Sequence, residues 1–369
     1  MKKRFLRDIA EIQTGPFGSQ LHKEDYVDVG TPIVTVEHLG SRVFSEQNLP
    51  MVSEADKSRL SKYVLKKGDI VFSRVGSVDR CSFVDQKHDG WMFSGRCLRV
   101  RPNEEVDSLF LYYFFCLNAT KEFVRSIAVG ATMPSINTKL LGEVEVICPE
   151  IKEQRKIADI LSKIDDKIEE NQKINENLEQ QAQAIYCDMF ITNANPSWQL
   201  GRLSDLITVR YGKDHKKLAD GIYPVYGSGG VMRYVEKPLY DKESVLIPRK
   251  GTLNNVMYVN KPFWSVDTMF FTEMKLPNVA KFVFHFVKSK DLASLNAGSA
   301  VPSMTTDILN AMELPIPDAD TFYKFENIVA PLYQAMQQNA QESSKLAELR
   351  DSLLPRLMSG EIDVSAVHL

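Results

Sequence analysis

One stretch of this sequence occurs twice. "GATMPSINTKLLGEVEVICP" at 130–149 aligns without a gap with "GSAVPSMTTDILNAMELPIP" at 298–317, at an offset of 168 residues. A repeat at a fixed offset indicates that one structural unit is present twice. The matched positions include Gly130/Gly298, Pro134/Pro302, Ser135/Ser303, Thr138/Thr306, Leu141/Leu309, Glu145/Glu313 and Pro149/Pro317.

The repeat extends upstream with unequal spacing. "FLRDIAEIQTGPFG" near the start is similar to "GRLSDLITVRYG" at 201–212, through Gly15 and Gly212 among others. From Gly15 to Gly130 the chain runs 115 residues, whereas from Gly212 to Gly298 it runs 86. Similar ends with unequal middles predict one scaffold that carries two different surfaces.

Two acidic segments carry a heptad pattern. In each, apolar residues alternate at spacings of four and three, which is typical of a helix that packs along a seam. The second segment repeats the first at the 168-residue offset, and Arg350 is its only poor seam residue. Two such helices in one register predict that they form a coiled coil with each other. The seam positions are Ile157, Leu161, Ile164, Ile168, Asn171, Asn175, Leu178, Ala182, Ile185 and Met189, then Phe325, Val329, Leu332, Met336, Asn339, Ser343, Leu346, Arg350, Leu353 and Leu357.

The polar seam positions predict the register. If the helices run antiparallel, Asn175 faces Asn339 and Asn171 faces Ser343, because a positions then meet d positions. The same register pairs Ile168 with Leu346, Leu178 with Met336 and Ile185 with Val329.

The chain therefore divides into four segments. Short β-rich runs such as "DIVFSRVG" and "SVLIPRKG" between turn signals predict mixed globular blocks at 1–149 and 193–317. The long helices occupy 150–192 and, with a C-terminal tail, 318–369. The predicted fold class is α+β, with two pseudo-repeat globular α/β blocks joined by two long antiparallel coiled-coil helices.

Charge alternates along these segments. The whole chain has a net charge of −3, but the first block is +1 and the second +4, while each helical segment is −4. A phosphate backbone would therefore contact the globular blocks and not the helices.

The remaining bulk features favour a cytoplasmic protein. The start of the chain carries Asp8 and Glu11 where a signal peptide has an apolar run. The longest apolar stretch, "LFLYYFFCL" at 109–117, is too short to span a bilayer and is expected to be a buried helix or strand. An odd number of cysteines without a CxxC pair indicates reduced thiols: Cys81, Cys97, Cys116, Cys148 and Cys187.

Common catalytic motifs are absent from the sequence. It has no GxxxxGK phosphate loop and no HExxH, and its six histidines lack metal-ligand spacing: His22, His38, His88, His215, His285 and His368. "NPSW" at 195–198 lacks the second proline of the methyltransferase base-binding loop, and we interpret Pro196 as a helix stop. "GSGG" at 227–230 is interpreted as a turn.

Basic and amide side chains near turns are the candidates for DNA contact. Arg reads guanine and Asn reads adenine in the major groove, while Lys mostly contacts phosphate. Arg74 and Arg249 occupy equivalent repeat positions, which suggests a shared scaffold role. The candidates are Lys23, Arg74, Arg80 and Arg96 in the first block, with His22 beside them, and Arg210, Lys213, Lys216, Lys217, Arg233, Arg249, Lys250, Asn254 and Asn255 in the second.

These features together resemble the specificity subunit of type I restriction–modification systems. The resemblance covers the whole chain, and its most characteristic parts are "GPFGSQL", "SRVGS", "GATMPSINTKLLGEVEVICPEIKEQRKIADILSKID" and "LRDSLLPRLMSGEIDV". The family's Glu-Gln pair is present as Glu153–Gln154 only, because the second repeat has "PDADTFYKFENIV" at that place.

The resemblance implies a non-catalytic DNA reader. Each globular block would be a target recognition domain, and the two would read the halves of a split DNA site. The helices would hold the readers apart and dock two methyltransferase subunits, which bind S-adenosylmethionine and methylate adenine. Restriction subunits that use ATP and Mg would join the complex. The chain itself would bind no cofactor and no metal.

Two other classes of function stay open at this point. The first is a coiled-coil scaffold whose globular blocks bind protein partners, which the near-neutral first block allows. The second is a stand-alone nuclease or methyltransferase, against which the missing motifs argue. A salt-dependent shift of duplex DNA would distinguish a DNA reader from a protein scaffold.

Overall fold

A computed structural model describes residues 2–16, 18, 20–295 and 303–365 of the chain. Phe17 and Ser19, the 298–302 part of the second repeat and His368 lie outside the described residues. The chain forms two compact units: the first is Met1–Asn171 with Gln341–Leu369, and the second is Gln172–Ala340.

The first unit contains the larger number of short elements. Its strands are β1 (Lys2–Phe5), β2 (Ala10–Thr14), β3 (Tyr26–Val27), β4 (Thr31–Val34), β5 (Met51–Val52), β6 (Ile70–Ser73), β7 (Cys81–Phe83), β8 (Met92–Phe93), β9 (Cys97–Pro102) and β10 (Glu145–Cys148). Its helices are α1 (Leu6–Ile9), α2 (Glu54–Arg59), α3 (Ser108–Cys116), α4 (Asn118–Ser126), α5 (Thr138–Gly142) and the start of α6 (Ile151–Cys187), with 3₁₀ turns at Lys23–Asp25, Val36–His38 and Ser61–Tyr63.

The second unit repeats the same order with fewer elements. A π-helical turn, Asp188–Thr192, follows α6. The strands are β11 (Gln199–Arg202), β12 (Ile207–Tyr211), β13 (Asp220–Gly227), β14 (Gly230–Val235), β15 (Ser244–Pro248), β16 (Met257–Val259), β17 (Trp264–Ser265), β18 (Met269–Met274) and β19 (Glu313–Ile316). The helices are α7 (Leu203–Leu206), α8 (Ala280–Lys288), α9 (Thr306–Asn310) and the start of α10 (Ala319–Ser359), whose residues from Gln341 onward belong to the first unit.

The sheets of the two units share one topology. A four-stranded antiparallel sheet has the order β2-β9-β6-β7 in the first unit and β12-β18-β15-β16 in the second. A two-stranded ladder, β1-β10 or β11-β19, stands beside it. One parallel pair, β4-β8 or β13-β17, completes the correspondence. The repeat predicted from sequence is thus a repeat of structure, and the α+β fold class is confirmed.

The apolar stretch at 109–117 forms α3, the central helix of the first core. Phe110, Tyr113 and Phe115 are fully buried on different sides of this helix, as expected for a helix that is apolar all round. The carboxylate of Asp107 caps α3 by accepting hydrogen bonds from the backbone N–H groups of Leu109 and Phe110 in its first turn.

Gln154 links the start of α6 to the start of α3. Its side-chain amide donates to the carbonyl of Pro149 at 2.9 Å, and its oxygen accepts from the backbone N–H of Asp107 at 2.9 Å. The side chain is buried, so each of these polar atoms needs its partner. Gln154 of the Glu153–Gln154 pair therefore has a structural role in the first unit.

The long helices pair antiparallel in both units, and the polar seam positions meet as the register predicts. In the first unit Asn171 donates to the hydroxyl of Ser343 at 3.3 Å. In the second, Asn339 donates to the side-chain oxygen of Asn175 at 2.9 Å, and Asn175 donates to the carbonyl of Met336. None of the twenty seam positions is exposed.

Arg350, the poor seam residue, has a buried partner. Its guanidinium donates to the carboxylate of Asp165 on α6 at 2.7 Å, and the hydroxyl of Tyr113 on α3 donates to the other oxygen of that carboxylate at 2.7 Å. The network joins α3, α6 and α10 within the first unit.

In the second unit His285 of α8 bonds both long helices. Its Nδ1 donates to the side-chain oxygen of Gln183 on α6 at 2.7 Å, and its Nε2 accepts from the hydroxyl of Tyr333 on α10 at 2.9 Å. Burial is the main cause that lowers the pKa of His285 to about 4, and Lys288 adds to it, so the ring is neutral at pH 7.

Candidate nucleic-acid interface

Each unit gathers four loops at one end of its four-stranded sheet. The antiparallel order brings the C-terminal ends of β2 and β6 and the N-terminal end of β9 to the same end. In the second unit β12, β15 and β18 do the same. We call this loop cluster the corner: 14–16, 74–77, 94–96 and 129–136 in the first unit, and 211–213, 249–252, 265–268 and 303–304 in the second.

Backbone hydrogen bonds hold the first corner together. Gly15 donates to the carbonyl of Cys97 at 3.2 Å, and Arg74 donates to the carbonyl of Arg96 at 2.8 Å. The carbonyl of Arg74 in turn accepts from Ile136 at 2.9 Å, which anchors the "GATMPSI" loop. The "SRVGS" and "GATMPSI" motifs therefore contact each other directly.

The second corner reproduces these bonds. Gly212 donates to the carbonyl of Met269 at 3.0 Å, and Arg249 donates to that of Thr268 at 2.9 Å. The carbonyl of Arg249 accepts from Met304 at 2.9 Å. The same motifs recur in sequence because the same main-chain contacts recur in space.

The glycines at the two corners allow a close backbone approach. A Cβ atom at Gly15 would overlap the carbonyl oxygen of Ser94, and one at Gly212 would overlap that of Val266. Only glycine therefore fits these two positions without a shift of the loop.

The repeat-related arginines bind their own corners. The guanidinium of Arg74 donates to the carbonyl of Gly95 at 3.1 Å. That of Arg249 donates to the equivalent carbonyl, of Asp267, at 3.4 Å and lies over the ring of Tyr211 at 5.3 Å. Each side chain thus stabilises the loop that precedes β9 or β18.

Several other predicted contact residues are engaged within their own unit. Arg80 donates to the carbonyl of Leu39, and Arg210 pairs with Glu273 at 3.0 Å. Arg233 pairs with Asp220 at 2.8 Å. Asn254 donates to Asp291 at 3.1 Å and accepts from the N–H of Ala293 at 3.0 Å, so both ends of its amide are in use. Asn255 donates to the carbonyl of Ser228 at 2.7 Å.

The remaining candidates point to solvent. Five of these candidates are exposed and make no hydrogen bond or ion pair through their side chains with the described part of the chain: Arg96, Lys213, Lys216, Lys217 and Lys250. Lys23 begins a 3₁₀ turn, and its side chain lies outside the described residues. Arg96, Lys213 and Lys250 belong to the corners. Lys216 and Lys217 lie just after the 211–213 loop of the second corner. Such cations are available to an anionic partner.

The "GSGG" and "NPSW" segments both form turns. "GSGG" closes the β13–β14 hairpin, because Gly227 pairs with Gly230 across the turn. In "NPSW" the side-chain oxygen of Asn195 accepts from the N–H and the hydroxyl of Ser197, which closes a local turn. The first of these interpretations is confirmed.

Sequence reasoning missed one apolar surface. On the β13–β14 hairpin, four large apolar side chains are exposed: Ile222, Val231, Met232 and Tyr234. The available signal was that "GIYPVYGSGGVMRYV" carries apolar residues at both odd and even positions, whereas a half-buried strand alternates.

No described helix has the length and apolar character that a membrane crossing requires.

Two copies of one α+β framework that carry different loops, together with two paired long helices, define a tandem-domain protein. Comparison with known families identifies the framework. The sequence model of the "Type I restriction modification DNA specificity domain" matches residues 1–180 and again 195–349. The chain belongs to this family and carries two copies of its domain.

Individual relatives agree with that assignment. The chain is 23% identical to the type I restriction enzyme MjaIX specificity subunit of Methanocaldococcus jannaschii, over 97% of this chain and 93% of the relative. It is also 23% identical to the HindI specificity subunit of Haemophilus influenzae, over 82% and 88%. The crystal structure of an S subunit from M. genitalium has the same fold, with a TM-score of 0.59 and 21% identity over 96% of this chain and 95% of that one. The family that the sequence motifs indicate is therefore confirmed.

Proposed function

We propose that this chain is the sequence-reading subunit of a type I restriction–modification complex and recognises a split DNA site. Residues 1–149 read one half of the site and residues 193–317 read the other. The long helices at 150–192 and 318–369 set the spacing of the two readers. The chain supplies recognition and no catalytic residue, and it acts in the cytoplasm.

The observation that carries this proposal is the repeated corner. The same main-chain bonds hold Gly15 and Arg74 in the first unit and Gly212 and Arg249 in the second, while the loops around them differ. A DNA site with two different halves suits this arrangement. The shared framework places a set of loops at each half-site, and the different side chains of those loops select different bases. The exposed cations at the corners suit the phosphates beside the bases.

The partners follow from the family. Two methyltransferase subunits with bound S-adenosylmethionine dock on this chain and methylate adenine, and restriction subunits with ATP and Mg complete the complex. The acidic helical segments, each of net charge −4, suit protein docking better than DNA binding. The relatives' names as specificity subunits of restriction enzymes support this assignment.

Exchange of a single block tests the proposal. Residues 193–317 are replaced by the corresponding block of another such subunit in the source strain, and methylated adenines are mapped by genome sequencing. One half of the methylated motif should change and the other should stay. If both halves change, or if neither does, two independent readers are excluded.

A binding measurement separates this function from a protein scaffold. The complex purified through a tag on this chain should shift duplex DNA that carries the mapped motif, and the shift should weaken steeply between 50 mM and 200 mM salt. A complex that binds no duplex at low salt would favour the scaffold.

A further inference from the structure

The β13–β14 hairpin exposes apolar side chains where its register breaks. Asp220 and Tyr223 both pair with Val235, so Gly221 and Ile222 are extra residues in β13. Between the pairs Val225–Arg233 and Tyr226–Val231, Met232 is extra in β14. Ile222 is 78% exposed and Met232 61%. A bulge re-aims a side chain, and here both irregularities direct an apolar group to solvent.

The described residues of the second unit leave these side chains uncovered. β14 is an edge strand, because its sheet has the order β14-β13-β17. Val231 and Tyr234 on the same strand are also about half exposed. Edge strands of soluble proteins usually carry charges that prevent association, and β14 has only Arg233. Four exposed large apolar side chains on one hairpin indicate a contact with a partner.

The hairpin and the residues next to it in sequence carry an excess of positive charge. From 210 to 237 the chain has six Lys or Arg and three Asp or Glu. Lys213, Lys216 and Lys217 lie in the loop that leads into β13 and are exposed. Arg233 donates to the carbonyl of Leu218 at 2.9 Å, which holds the end of that loop against the hairpin. The surroundings of the apolar side chains therefore suit a polyanion.

The hairpin turn is fixed to the second corner. The side chain of Asn255 donates to the carbonyl of Ser228 in the turn at 2.7 Å. A Cβ atom at Gly251 would stand 2.7 Å from the hydroxyl oxygen of Ser228, so turn and corner are in close contact. The apolar side chains are thus presented on a supported element.

The hairpin also lies where the two units differ most. Val34 and Tyr226 occupy equivalent positions in the two units. The carbonyl of Val34 accepts from the N–H of the residue just after β8, and the carbonyl of Tyr226 accepts from the N–H of the residue just after β17. From Val34 to Arg74 the chain runs 40 residues, but from Tyr226 to Arg249 only 23. The shorter segment contains β14, whereas the longer one contains β5 and α2. Residues that choose different bases must lie in segments that differ.

Resting on the proposed function, we propose that the β13–β14 hairpin enters the major groove of the second half-site. A two-stranded ribbon fits that groove, and the C5 methyl group of thymine is the apolar feature that a base presents there. Ile222 and Met232 contact thymine methyl groups, and Lys213, Lys216 and Lys217 contact the flanking phosphates. The second half-site therefore contains at least one A·T pair that the chain recognises through the thymine methyl.

Replacing thymine by uracil tests this at the level of a single methyl group. The tagged complex is purified with wild-type chain, Met232→Ala or Ile222→Ala, and its affinity is measured on duplexes in which each thymine of the mapped motif is replaced in turn. Burial of one methyl contributes about 0.8 kcal/mol, so uracil at the contacted position should weaken wild-type binding about fourfold. The matching alanine variant should lose that sensitivity at one position.

Leu276→Ala is the matched control. Leu276 is 44% exposed and follows Met274, which pairs with Ile207 at the opposite end of the sheet from the corner. This variant should keep the uracil sensitivity of the wild type. Melting temperatures of all three variants should match the wild type, because the substituted side chains are exposed.

The outcomes separate the inference from the proposed function. If uracil affects wild type and both hairpin variants equally at every position of the second half-site, the hairpin inference is overturned while the block exchange still supports two readers. If Met232→Ala changes self-association of the chain and leaves uracil sensitivity intact, the edge strand binds a second copy instead. If the methylated motif does not depend on this chain at all, the proposed function itself is wrong.

Discussion

Replacing Arg350 by leucine should destabilise the first unit, although it completes the heptad seam. On sequence alone Arg350→Leu is an improvement, since it puts an apolar residue at a seam position. In the structure it removes the cation that neutralises Asp165, whose side chain is only 8% exposed. Tyr113 would then be the remaining donor to a buried carboxylate.

The size of the effect follows from burial. Breaking a buried ion pair by removing one partner costs about 3 to 5 kcal/mol. Because Arg350 is 29% exposed, solvent screening reduces that cost, and the new leucine contributes about 1 kcal/mol of apolar burial. We therefore expect a net loss of about 2 kcal/mol. Adding Asp165→Asn should recover about half of it, since the amide carries no charge and still accepts from Tyr113.

Hydrogen exchange of the full chain provides the assay. Peptides from α3 and α6 should lose protection in Arg350→Leu and regain part of it in the double variant, while peptides from α8 in the second unit serve as internal reference. Lys345→Leu, an exposed position on the same helix, should change protection by less than about 0.5 kcal/mol. Higher protection of α6 in Arg350→Leu would refute the argument and show that the seam outweighs the ion pair.

Three further results are expected. Gly15→Ala should lower the melting temperature of the first unit by several degrees, because the added Cβ would overlap a backbone carbonyl. Gly18→Ala should leave it unchanged, because a Cβ there has open space. Equal effects of the two substitutions would contradict this explanation. As pH falls from 6.5 to 4, the free energy of unfolding of the second unit should fall by roughly 3 kcal/mol. The reason is that His285 binds a proton in the unfolded chain, whereas the folded ring, with its pKa of about 4, does not. A similar dependence of stability on pH in His285→Gln would exclude that cause. One added heptad in each helix, near Asn171 and Asn339, should lengthen the preferred gap between half-sites by roughly three base pairs, as helix rise and DNA rise imply; an unchanged gap in the methylated motif would mean that the helices do not set the spacing.

The sequence predicts the framework because the framework is periodic. The heptad spacing predicts both helices, and Asn175 opposite Asn339 follows once the polar positions are aligned. The repeated motifs predict two copies of one unit, since a chain that needs the same backbone contacts reuses the same residues. Glycines at Gly15 and Gly212 belong to this periodic part.

The candidate interface was less predictable, because it depends on contacts between residues distant in sequence. The equivalent repeat positions of Arg74 and Arg249 suggest a scaffold role, but no local signal in the sequence identifies the acceptor of each guanidinium, which is a carbonyl about 20 residues away. The amide of Asn254 is likewise engaged by a loop 37 residues further on. The mixed apolar pattern of the hairpin indicates that some apolar side chains are exposed, but the exposure of Met232 in particular depends on the strand register.

The corners hold their loops by main-chain atoms, and this affects how such a chain can change over generations. A carbonyl or an N–H is present whatever the side chain, so substitutions in the loops leave the anchoring bonds of Arg74 and Arg249 intact. Only a few positions, such as the close-packed glycines, forbid replacement. Mutation can therefore explore new base preferences in each loop set while the frame keeps its geometry, and a new specificity can arise without refolding the protein.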